Sequence, residues 1–114
     1  MPPKTNPLCL NPLQLRTLTL LQALAQLPGH GQPGSEPGTV RVANMPHPHG
    51  DHFHLGDAAV AARDATGLFN PAVWAALERK GLIRSAFPIE ALLTAEGLRY
   101  DTGLGETLLH RIDH

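Results

Sequence analysis

The chain has 114 residues, with nine basic and ten acidic side chains and a formal charge of −1 when histidine is neutral. That length suits one domain with a modest core, and the balanced charge excludes a global positive field that alone would gather nucleic acid or an anionic membrane. Cys9 is the only cysteine, which excludes an internal disulfide and a thiolate-rich zinc knuckle, so a reducing cytoplasm is the expected compartment.

Residues 1–10, with Pro2, Pro3 and Pro7, read as a flexible segment without the apolar stretch of a signal peptide. No later run reaches the roughly 18 apolar residues of a membrane span, and no membrane partner is expected. Asn11 and Pro12 open a helix, because the asparagine oxygen can accept a first-turn amide and proline at the first position needs no donor. It is expected to run to about Gln26, before Leu27-Pro28-Gly29. Leu13, Leu18, Leu20, Leu21, Leu24 and Leu27 spread over more than a third of its circumference. Two accounts fit that spread: a central helix touched on several sides, or a homodimer whose second copy covers leucines such as Leu13, Leu20 and Leu24.

Pro28 to Gly38 almost lacks apolar residues and reads as a mobile surface loop (28–38) within the domain. Thr39 to Asn44 alternates like a half-buried strand, and His52-Phe53-His54-Leu55 follows as a second after the turn-rich Pro46 to Asp51. The two are expected to pair as a hairpin, with Val40, Val42, Phe53 and Leu55 toward the core. From Asp57 as N-cap, the alanine-rich Ala58 to Asp64 favours helix through its low side-chain entropy cost, and Thr66-Gly67-Leu68-Phe69 breaks it.

Asn70 and Pro71 repeat the cap-plus-proline start, Val73 and Leu77 share a face with either Ala76 or Lys80, and Gly81 supplies a left-handed stop. Two helices joined by a glycine-bearing turn make a helix-turn-helix candidate. Ile83-Arg84-Ser85 and Ile89 to Leu93 then read as strands of a short wing around Ala86-Phe87-Pro88, and Thr94 caps a last helix through Leu98 and Tyr100. Residues 102–114 form a tail in which Thr107 to His110 can make one further turn.

Leu77-Glu78-Arg79-Lys80-Gly81-Leu82-Ile83, followed by Leu93-Thr94-Ala95-Glu96-Gly97-Leu98, resembles the winged-helix superfamily and its MarR-like bacterial regulators in particular. The first stretch is similar to the end of their recognition helix and the second to the junction after the wing. The likeness covers roughly residues 55–101, with Leu13 to Leu27 in the place of a first helix. It implies an α+β winged helix-turn-helix domain over 11–101, with a leucine-rich first helix and a His-rich hairpin before the helix-turn-helix. It also implies a transcriptional regulator that binds double-stranded DNA as a homodimer.

In DNA-binding members the second helix of the pair enters the major groove while nearby cations hold phosphates. Carried onto this chain, Asn70, Trp74 and Arg79 would face the duplex, with phosphate contacts from Arg63, Arg79, Lys80, Arg84 and additionally Arg41. Ala72, Ala75 and Glu78 share that face, leaving Asn70 as the one amide able to read a base, and the wing tip has no Arg or Lys. Trp74 also fits at the edge of the core, beside Val73 and three residues before Leu77. Winged helices serve as protein-interaction and dimerisation modules too, which gives a second reading without DNA.

His47-Pro48-His49-Gly50-Asp51-His52 is similar to the H-x-H-x-D-H string of metallo-β-lactamase-fold hydrolases. That similarity would make His47, His49, Asp51 and His52 ligands of one or two zinc ions that activate water. The hydrolase fold is a four-layer αββα sandwich of about twice this length with ligands far downstream, where the only histidines of this chain are His110 and His114, flanking Asp113 in the tail. No enzyme is therefore expected. The residues themselves offer another metal set: His52 and His54 share a strand face, and the turn bearing His47 and His49 can fold over them to hold Zn²⁺, Ni²⁺ or Cu²⁺. The competing reading is a polar, exposed strand face with no ion. No cofactor is required: Ser35, Ser85 and Cys9 lack the setting of a nucleophile, and neither G-x-G-x-x-G nor a P-loop lysine marks a nucleotide site.

Overall fold

Asn11 starts the first helix, α1 (Pro12–Leu24), through a reciprocal cap. Its Oδ1 accepts the Gln14 amide at 2.8 Å, and Gln14 Oε1 accepts the Asn11 amide at 3.0 Å. The computed structural model describes residues 6–47, 50–56 and 58–104, and the backbone of 110–111. It shows a mixed α+β fold in which, among the described residues, three α-helices accompany two β-sheets.

Leu18, Leu20, Leu21 and Leu24 are all 0% exposed within one copy of the chain. They point to several sides of α1, and the fold covers each side: a 3-10 turn at Thr66–Phe69, helix α2 (Pro71–Arg79), strand β6 (Glu90–Leu93) and helix α3 (Ala95–Arg99) all pack against it. The wide apolar circumference is thus consumed inside the domain. Two threonines on this enclosed helix satisfy their hydroxyls locally, Thr17 donating to the Leu13 carbonyl and Thr19 to that of Leu15, both at 2.8 Å.

The larger sheet contains β1 (Gly31–Pro33), β2 (Val40–Ala43), β5 (Ile83–Ala86) and β6, in the order β1-β2-β6-β5 with every pair antiparallel. Val42 and Ser85 both lie opposite Ala91, and Val40 and Ile83 both lie opposite Leu93. Directly paired residues share a sheet face, so Val42, Ala91, Leu93 and Ile83 form one buried layer. The 28–38 segment, expected to be loop, therefore contributes an edge strand. Gly-Gln-Pro carries no alternation by which to recognise it, and Gly31 is there for space: a Cβ would stand 2.0 Å from the Ala25 carbonyl oxygen.

The smaller sheet has the order β3 (His52–Leu55), β4 (Ala58–Ala61), β7 (His110–Arg111). Two expectations are corrected here. Strand β3 pairs with β4, not with β2, and the helix expected over Ala58 to Asp64 is instead β4 followed by a 3-10 turn at Ala62–Asp64. Alanine's helix preference is a weak local term; against it, Val60 is fully buried opposite the buried Phe53, and β3 supplies partners for the backbone. Gly56, at φ +61°, begins the tight reversal between the two strands. Asp57, expected as a helix cap, lies outside the described residues, as do most of the 102–114 tail and residues 107–109 of its expected turn, while His110 belongs to β7.

The remaining elements follow their local signals. Asn70 Oδ1 accepts the Ala72 amide at 3.0 Å, and Gly81 leaves α2 at φ +78°. Thr94 Oγ1 accepts the Gly97 amide at 3.0 Å while its hydroxyl lies 2.7 Å from the Gly81 carbonyl, tying α3 to the end of the preceding segment. No described helix is long and apolar enough to cross a membrane.

Candidate functional site

Helix α2 presents one face outward. Pro71, Ala72, Ala75, Glu78 and Arg79 are exposed, whereas Val73, Trp74, Ala76 and Leu77 are buried. Trp74, expected among DNA contacts, is 0% exposed and has no access to a duplex. Its position next to Val73 turns it inward, and Phe87 from the β5–β6 turn closes edge-on over the indole with ring centroids 5.0 Å apart. Drawing Phe87 inward leaves Pro88 and Ile89 exposed at the turn, Ile89 at 72%.

The candidate phosphate-binding cations have different surroundings. Lys80 Nζ donates to the Leu8 carbonyl at 2.7 Å, pinning the N-terminal segment to the end of α2. Arg84 lies 3.6 Å from Glu36, and Arg41 lies 3.8 Å from Glu90 while donating to Gln32 at 2.8 Å. Such exposed pairs contribute at most about 1 kcal/mol and exchange readily for another anion. Arg63 and Arg79 are exposed and have no carboxylate partner among the described residues. Glu78, exposed beside Arg79 on α2, accepts the Ser85 amide through its carboxylate at 3.2 Å.

Of the dimer candidates, Leu20 and Leu24 are enclosed as described, and half-buried Leu13 packs against the same core. Their burial calls for no second copy.

On β3 the two-residue period does bring His52 and His54 together. Their Nε2 atoms are 3.1 Å apart and their rings meet at 82° with centroids 4.7 Å apart. Behind them, Asp51 Oδ1 is 3.2 Å from His52 Nδ1. The hydrogen bond from His52 holds the Asp51 carboxyl below its ordinary value, with its own backbone amide and the charge of His52 adding to the effect.

His47 is not gathered with that pair. It lines an apolar cavity of about 370 Å³ with Phe53, Ala62, Ala65, Thr66 and Phe69. Phe53 points to the opposite side of β3 from His52 and His54, and the buried Pro46 just before His47 fixes that path. His49 lies outside the described residues; among the described residues no group of three or more His, Cys, Asp or Glu side chains is placed to hold a metal. The contact of Asp51 with His52 has one signal in the sequence, a turn that sets a carboxylate next to the first strand histidine.

A scan of protein-family models finds no match, and searches of curated proteins and of solved structures find none.

Proposed function

We propose that the chain is a winged-helix DNA-binding protein that sets the outer face of α2 against a duplex. The observation that carries this reading is the β2-β6-β5 strand order around α2: the helix leads directly into a two-stranded wing, and the earlier strand β2 pairs with the wing's second strand. The element before α2 departs from a regular helix-turn-helix, because two 3-10 turns, Ala62–Asp64 and Thr66–Phe69, stand where a supporting helix was expected.

The small side chains of Ala72 and Ala75 allow the helix backbone to approach base edges closely, where methyl groups contact thymine. Asn70 sits at its leading end as the polar reader. Arg63, Arg79 and Arg84 supply the phosphate contacts, Arg84 by exchanging Glu36 for DNA. Trp74 supports the helix as core, and the exposed Lys80 ties its end to Leu8.

Three phosphate contacts correspond to a slope of about −2.7 in log affinity against log salt, hence an affinity loss of about 40-fold between about 50 and 200 mM salt. Fluorescence anisotropy with a random-sequence duplex pool measures it. Arg63→Ala with Arg79→Ala should reduce the slope's magnitude by about 1.8 while leaving the fold intact. No binding at the lower salt, or a slope indifferent to both substitutions, refutes the proposal.

A further inference from the structure

The histidine pair of β3 lies on the smaller sheet, apart from α2, and its geometry has a use of its own. Two imidazole nitrogens bound to one ion at about 2.0–2.1 Å lie about 2.9 Å from each other at neighbouring positions of a tetragonal ion such as Cu²⁺ and about 3.3 Å apart around a tetrahedral one. The Nε2 atoms of His52 and His54, in hydrogen-bond contact with each other, stand 3.1 Å apart, within a few tenths of an ångström of both separations. We propose that His52 and His54 chelate one divalent transition-metal ion through their Nε2 atoms, with Asp51 positioning the His52 ring.

Three features support this site. The strand fixes both side chains on one face at i and i+2, so chelation requires no backbone rearrangement. The Asp51 carboxylate accepts from His52 Nδ1–H and thereby places the ring's lone pair on Nε2, the arrangement by which a carboxylate orients a metal-binding histidine; His54 Nε2–H then donates to it, and on binding the ion replaces that proton as His54 shifts to its Nδ1–H tautomer. His54 is exposed and His52 half-buried, so an ion reaches the pair from solvent.

Two imidazoles without thiolate favour borderline ions, and among them Cu²⁺ binds most tightly in the general order of divalent affinities. The site differs from the four-histidine set expected from the sequence, because His47 faces the cavity beside Phe53. It differs also from the hydrolase string, since Asp51 serves the ring of His52 and is not itself a ligand.

The test is one equivalent of Cu²⁺ added to the full-length, chelator-treated protein, read by electron paramagnetic resonance and by NMR. The resonance spectrum should show coupling to two imidazole nitrogens, and paramagnetic broadening in the wild type should appear first at His52 and His54. His54→Ala should leave one coupled nitrogen from the pair and weaken binding about 10²-fold, as expected when a two-point attachment becomes one-point. Asp51→Ala should weaken binding by about 10–100-fold while both nitrogens remain coupled. His47→Ala should change neither spectrum nor affinity. Broadening that begins elsewhere in the wild type overturns the proposal without recourse to any variant, and so does two-nitrogen coupling that survives His52→Ala plus His54→Ala.

Discussion

Replacing Leu20 by alanine separates two uses of a leucine-rich helix. Leu20 is 0% exposed and belongs to the same buried cluster as Leu18, Leu24, Val42, Trp74 and Leu93. Truncation at such a site costs about 2–5 kcal/mol through lost transfer energy and the residual cavity. Total stability for a domain of this kind is about 5–15 kcal/mol, so the variant should still fold. At about 3 kcal/mol and about 5 °C per kcal/mol, its thermal midpoint should fall by about 15 °C. Urea unfolding at two protein concentrations differing by about twentyfold checks where that energy resides. A leucine used inside one copy gives the same midpoint at both concentrations and the same loss on substitution. A leucine used between copies makes the wild type more stable at the higher concentration by about 1.8 kcal/mol, and Leu20→Ala then abolishes the difference. The second pattern refutes the enclosed-helix account.

Gly97→Ala places a Cβ 2.0 Å from the Leu82 carbonyl oxygen, a backbone atom that cannot rotate aside. A loss of about 1–3 kcal/mol in a denaturant melt is expected, and wild-type stability would contradict the packing of α3 against Leu82. Thr94→Ala removes both the cap on the Gly97 amide and the bond to the Gly81 carbonyl, for an expected loss of about 1–2 kcal/mol that Thr94→Ser largely restores. Carbon chemical shifts over 58–61 should be those of extended backbone, and helical values would reject β4.

The elements that depend on neighbouring residues were readable in the sequence. Asn11-Pro12 and Asn70-Pro71 act within one helical turn, as does Thr94 with Gly97, and all three produce the expected starts. Strand partners were not readable, because β2 closes on β6 from the far end of the chain and leaves β3 to pair with β4. The 58–64 segment shows a related limit: alanines favour helix by propensity, but Val60 is buried opposite Phe53 in a strand pairing that propensity does not register. At the candidate sites, period-two alternation sufficed to place His52 beside His54, whereas the path after Pro46 that takes His47 to the apolar cavity had no such signature. Trp74 could be placed on an edge of α2 from spacing, but only Phe87 folding over it determined that the edge is closed.

The reading of α2 as a DNA-facing helix meets its most direct test in an NMR titration of the labelled protein with duplex DNA at low salt. Amide perturbations should concentrate at residues 70–79 and at Arg63 and Arg84, leaving β3 and β4 unchanged. Perturbations centred on 52–61, or none at α2 under conditions where the duplex is bound, would contradict it.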